Sequence, residues 1–117
     1  MADTFLPGPQ WHYCGNDLYC ENVKLADLAR DYGTPLYVYS KDSIVNAYEA
    51  YTQALKGFPH LICYAVKANA NIAILQLLAQ LGSGFDIVSA GELTRVLHAG
   101  GNPKNVTFSG VAKTENE

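Results

Sequence analysis

Lys67 directly follows the apolar run of residues 61–66, so its amine stands where a short buried strand would end. The carboxyl ends of parallel strands are where α/β proteins gather ligands and catalytic groups. A lysine there can condense with an aldehyde once desolvation or a neighbouring cation lowers its pKa from about 10.4. On position alone, a solvated strand-end lysine is the simpler reading. Asp86 raises a second question, because it lies within the otherwise apolar Phe85-Asp86-Ile87-Val88. A carboxylate is costly there unless a cation or hydrogen-bond donors meet it, and a lysine on the adjacent strand would serve. Ser89 and Glu92 follow in a Ser-x-x-Glu pattern. Its simplest meaning is a helix capping box, with Glu92 also suiting the positive end of that helix.

Other chemistries find less support. His12, His60 and His98 are far apart and none pairs with another ligand at i+4, while His12-Tyr13-Cys14 with Cys20 is too loose a set for zinc. No metal site is expected. Neither GxGxxG nor GxxxxGK[ST] is present, so the two common nucleotide cradles are missing. Eight Lys plus Arg against eleven Asp plus Glu give a net charge of -3 without a basic run, which argues against nucleic acid. No apolar stretch approaches the length of a membrane span, and the N-terminus lacks a charged segment followed by an apolar one. A soluble, cytoplasmic protein is expected. Cys14, Cys20 and Cys63 are odd in number and form no CxxC pair, which suits reduced thiols. Asn105-Val106-Thr107 fits the glycosylation pattern but sits at a strand start, where it reads as a chance match.

Residue periodicity supplies the elements that would position these groups. The first 24 residues read as irregular, with at most a short strand at Leu18-Tyr19-Cys20. Leu25, Leu28, Ala29 and Tyr32 share one helical face, and Gly33 follows where a helix would stop. Leu36-Tyr37-Val38-Tyr39 then predicts a strand, with Ser40 or Asp42 able to cap the next helix. That helix carries Ile44, Tyr48, Tyr51 and Leu55 on one stripe and closes at Gly57 and Pro59. Residues 61–66 predict a strand buried on both faces, as in a parallel sheet.

The same cycle continues. Ile74, Leu77, Leu78 and Leu81 make a helical face that ends at Gly82, and residues 85–88 form the next strand. Ser89 opens a helix running to Gly100-Gly101, and Val106-Thr107-Phe108 is the strand after it. Strand starts at 36, 61, 85 and 106 each enclose one helix, which predicts α/β architecture with right-handed parallel crossovers. Either an open sheet or the N-terminal part of a (β/α)8 TIM-type barrel satisfies this, and a whole barrel takes roughly 250 residues. Residues 112–117 read as the first turn of a helix that continues further.

With these elements in place, Tyr64-Ala65-Val66-Lys67-Ala68-Asn69 resembles the lysine motif of the alanine racemase-like, barrel-type pyridoxal-phosphate enzymes. That family includes alanine racemase and the decarboxylases of diaminopimelate, ornithine and arginine. Gly84-Phe85-Asp86-Ile87-Val88-Ser89-Ala90-Gly91-Glu92-Leu93 is similar to the segment that follows this lysine in the decarboxylases, at matching spacing. Leu28-Ala29-Arg30-Asp31-Tyr32-Gly33-Thr34-Pro35-Leu36-Tyr37-Val38-Tyr39 resembles the opening of the diaminopimelate branch rather than the ornithine branch. Val106-Thr107-Phe108-Ser109-Gly110-Val111-Ala112-Lys113-Thr114 resembles the next strand and loop of the same enzymes.

The resemblance implies a PLP-binding barrel begun by residues 25–117, with residues 1–24 associating with a β-domain, in a homodimer acting on a small amino acid. It makes Lys67 the lysine that bears pyridoxal 5'-phosphate, and it transfers cofactor-site membership to Asp86, Glu92 and Ser89. The implied reaction is decarboxylation of meso-diaminopimelate to L-lysine and carbon dioxide. The family's ring-stacking histidine, glycine-rich phosphate loop, acid at the pyridine nitrogen and substrate-binding Arg, Tyr and Cys would all come after residue 117. The 117-residue chain alone is therefore expected to be inactive. Rival readings are an ornithine, arginine or carboxynorspermidine decarboxylase, a racemase, or a non-catalytic α/β binding module.

Overall fold

The structure, a computed structural model, describes residues 6–111 and 113–116. The chain divides into two compact units, residues 1–47 and 48–117.

In the first unit, β1 (Trp11–Cys14), β2 (Asp17–Cys20) and β3 (Val23–Lys24) form an antiparallel meander. This corrects the expectation of an irregular segment with one short strand. The β1–β2 turn has only Gly15 and Asn16 between the paired Cys14 and Asp17, and Gly15 takes the positive φ of 62° that such a turn demands at its first position. Across the ladder His12 faces Tyr19, and their rings stack with centroids 5.6 Å apart. The β2–β3 turn places Glu21 at φ 54°, unusual for a residue with a Cβ. Helix α1 (Leu25–Tyr32) follows and stops at Gly33, whose N–H bonds the Ala29 carbonyl at φ 81°.

Residues 36–39 carry no ladder, which overturns the strand expected there. Strand propensity measures how well side chains suit a half-buried pleated surface, and Tyr37 is 87% exposed. Helix α2 (Lys41–Ala54) begins where expected, with Ser40 accepting from the Ser43 N–H. The Glu21 carboxylate accepts from the Ser40 hydroxyl at 2.7 Å and from the Asp42 N–H at 2.9 Å, so one acid ties the β2–β3 turn to the helix start. These donors hold Glu21 below the usual carboxylate range, the Asp42 amide contributing most and Ser40 next.

The second unit is built on a parallel sheet of order β4-β5-β6, with β4 at Cys63–Ala65, β5 at Gly84–Ile87 and β6 at Val106–Phe108. Helices α3 (Ile72–Gln80) and α4 (Ala90–His98) are the crossovers and pack on each other. Val66, Leu75, Leu78, Phe85, Ile87, Val96 and Ala99 form the core. The α3 face is rotated from the expected one, because Leu75 and Leu78 are buried while Ile74 and Leu77 are half-buried. The strand expected over 61–66 is shorter, since Leu61 is exposed and Val66 opens a 3-10 turn, Val66–Ala68. Gly84 lets the three strands close up, as a Cβ there would lie 2.7 Å from both the Asn105 carbonyl oxygen and Cys63 Sγ.

Of residues 112–117, Ala112 and Glu117 lie outside the described residues, and residues 113–116 hold a turn rather than a helix. No helix of the described residues is long and apolar enough to cross a membrane.

Candidate functional site at the carboxyl ends of the parallel strands

Strand β4 ends at Ala65, and the chain enters the 3-10 turn that carries Lys67. Val66 is fully buried and roots this turn in the core, while Lys67 beside it is exposed. The stretch after the turn is pinned by polar groups. The Tyr64 hydroxyl donates to the Asn69 carbonyl at 3.1 Å, Asn69 Oδ1 accepts from the Asn71 N–H, and Asn71 Oδ1 accepts from the Ala73 N–H as the N-cap of α3. Arg95 of α4 donates from Nη1 to the Ala70 carbonyl at 3.3 Å.

Asp86 lies opposite Ala65 in the parallel register, so the Lys67 turn begins beside it. Its Oδ1 is buried and has no hydrogen-bond partner, the one such side-chain atom among the described residues. A buried acceptor left unmet costs about 1–3 kcal/mol. The pairing expected between Asp86 and a neighbouring lysine is not made, for Lys67 forms no ion pair with it. Had β4 continued, the two-residue alternation of a strand would place Lys67 on the same face as Ala65 and Asp86. The 3-10 turn breaks that alternation at Val66.

Ser89 and Glu92 come together as a cap. Ser89 Oγ accepts from the Glu92 N–H at 3.2 Å, and Glu92 Oε2 accepts from the Val88 N–H at 2.7 Å. The acid thus reaches one residue beyond the N-cap, and both groups already have structural work at the mouth of α4. Beyond β6, Lys113 donates to the carbonyls of Phe108 and Gly110 and lies 5.1 Å from the centre of the Phe108 ring. Its amine is engaged, unlike that of Lys67. No group of three or more potential metal ligands occurs among the described residues. Motif spacing picks out neither the Tyr64 hydroxyl nor Arg95, because the bonds they make link positions with no periodic relation.

An unpaired amine just past the carboxyl end of β4, with a buried and unmet carboxylate oxygen on the adjacent strand, fits a group with an aldehyde carbon and a hydrogen-bond donor. Pyridoxal phosphate supplies the aldehyde. The sequence pattern of the pyridoxal-dependent decarboxylase, pyridoxal binding domain family matches residues 41–117, and the chain belongs to that family. Diaminopimelate decarboxylase of Vibrio cholerae is 61% identical over 100 residues, covering 86% of this chain and 24% of that enzyme. A crystal structure of a protein from Aquifex aeolicus superposes with TM-score 0.88 at 48% identity, over 93% of this chain and 27% of the other. The crystal structure of diaminopimelate decarboxylase from m. jannaschii in complex with L-lysine gives TM-score 0.88 at 36% identity, over 92% and 26%. The chain spans about a quarter of the length of the curated relatives it matches, 24% in the Vibrio cholerae case.

Proposed function

We propose that the full-length protein carrying this chain decarboxylates meso-diaminopimelate to L-lysine, with Lys67 bearing pyridoxal phosphate. The observation behind this reading is the Lys67 amine, exposed and without an ion pair at the end of β4 in a pyridoxal-binding family member. The similarity to diaminopimelate decarboxylases supports the substrate. Pyridoxal phosphate, when bound, acts as a sink for the electrons left behind as the carboxylate departs as carbon dioxide. Asp86 Oδ1 receives a hydrogen bond from a donor brought into the site, which meets its unpaired acceptor. Ser89 and Glu92 shape the wall at the start of α4 and keep the Val88 amide occupied.

The same reading gives a cytoplasmic homodimer in which the barrel is closed by residues beyond this chain and residues 1–24 associate with a β-domain. Borohydride reduction of the full-length protein followed by peptide mapping tests the assignment. A phosphopyridoxyl group on Lys67, together with carbon dioxide release from meso-diaminopimelate in preference to ornithine, arginine and carboxynorspermidine, is the expected result. An adduct at any other residue, or none, would overturn it.

A further inference from the structure

We propose that Tyr64 and Arg95 are positioning residues that hold the Lys67 turn from two sides by capturing consecutive carbonyls behind it. The proposal rests on the reading of Lys67 as the cofactor-bearing lysine. A lysine side chain has four rotatable bonds, so where its amine can stand depends on how firmly its own backbone is fixed. Here the backbone is only a three-residue 3-10 turn, Val66–Ala68, a form with weak internal bonding. Val66 anchors the front of the turn in the core. The back has no ladder, and two side chains stand in for one.

Tyr64 reaches forward from β4 to the Asn69 carbonyl, and Arg95 reaches across from α4 to the next one, that of Ala70. One tether is local and the other comes from a different βα unit, so together they set the turn against both the strand before it and the helix after β5. A basic residue in the last turn of α4 suits the negative end of that helix in any case. What distinguishes Arg95 is that its Nη1 lies against a carbonyl of the Lys67 loop. Misplacing a reacting group by an ångström can cost about a hundredfold in rate, and tethers on adjacent peptide groups limit such drift.

The test uses the full-length protein stripped of cofactor. On adding pyridoxal phosphate, the Lys67 amine attacks the aldehyde carbon and a C=N bond forms, while the aldehyde oxygen leaves as water with the two amine hydrogens. Absorbance follows this attachment without any turnover. Tyr64→Phe removes the hydrogen bond to the Asn69 carbonyl and Arg95→Met the one to the Ala70 carbonyl, and attachment should slow about fivefold in each. Arg95→Lys, which retains a cationic N–H donor for the one carbonyl, should restore most of the rate. Amide exchange should quicken within residues 66–71 only. Unchanged attachment in both Tyr64→Phe and Arg95→Met would overturn the proposal, as would exchange rising together across β4, β5 and β6. Should the unsubstituted protein take up no pyridoxal phosphate at Lys67, the proposed function falls. The tethers are then judged by exchange alone: quickening confined to 66–71 upholds them, and no change overturns them.

Discussion

At the scale of single residues, Lys67 and Asp86 make opposite demands on the chain. Lys67 is solvated and unpaired, so replacing it should leave stability nearly untouched while removing the proposed attachment point. Lys67→Arg is the sharper variant, because a guanidinium stays protonated and forms no Schiff base. Borohydride should then fix no phosphopyridoxyl group, and melting should shift by less than about 0.5 kcal/mol, as for most surface substitutions. Asp86 is different, since a buried oxygen without a partner weighs against folding. Asp86→Ala should therefore stabilise the cofactor-free protein by about 1 kcal/mol, yet weaken pyridoxal phosphate binding about tenfold through loss of an acceptor. Thermal melts with and without cofactor check the pair of signs. A variant that loses stability without cofactor would show that Asp86 supports the fold rather than the ligand.

At the scale of elements, Gly84 and Glu21 are the positions on which local geometry depends. Gly84→Ala would drive a Cβ against the Asn105 carbonyl, a backbone atom that moves only with the start of β6, and overpacking of this kind costs about 1–3 kcal/mol. Denaturant unfolding measures it. Glu21 binds the start of α2 as a carboxylate, and its folded pKa lies below its unfolded one. Its contribution is therefore present above the unfolded value of about 4.3 and is lost as pH falls through the lower folded value. The Asp42 amide resonance should report this midpoint, and titration in the ordinary carboxylate range would contradict it. Helical spacing made α1, α3 and α4 legible, as Leu25 repeats with Leu28 and Ile74 with Leu77 and Leu78, although α3 turns Leu75 rather than Ile74 into the core, and short apolar runs made β5 and β6 legible. Of the β1–β3 meander only Leu18-Tyr19-Cys20 reads as a possible strand, since burial along β1 and β2 does not alternate. Propensity favours a strand over residues 36–39, but it describes a side chain's suitability and supplies no partner edge. In the site, Lys67 and the Ser89–Glu92 cap follow from strand ends and capping patterns. Arg95 does not, since its bond to Ala70 spans 25 residues.

At the scale of the whole molecule, the sheet β4-β5-β6 has two outer edges, and neither edge has a ladder among the described residues. Large apolar side chains of the same unit stay in water, including Tyr51, Phe58, Leu61 and Leu97. Exposed apolar surface next to open strand edges promotes association between copies. The 117-residue chain expressed alone should accordingly bind a hydrophobic dye such as ANS and sediment as species larger than 12.7 kDa. Charged substitutions at Phe58 and Leu61 should lessen both signals, because they remove exposed apolar surface and leave the core residues Phe85 and Val96 in place. The full-length protein should show neither the dye signal nor concentration-dependent growth in size. Catalysis should divide in the same way. Lys67 and Asp86 lie within the chain, whereas the resemblance places the phosphate loop and the substrate-binding groups after residue 117. The isolated chain should therefore release no carbon dioxide from meso-diaminopimelate. Release at the rate of the full-length protein would mean that the groups needed to hold cofactor and substrate are already present around Lys67.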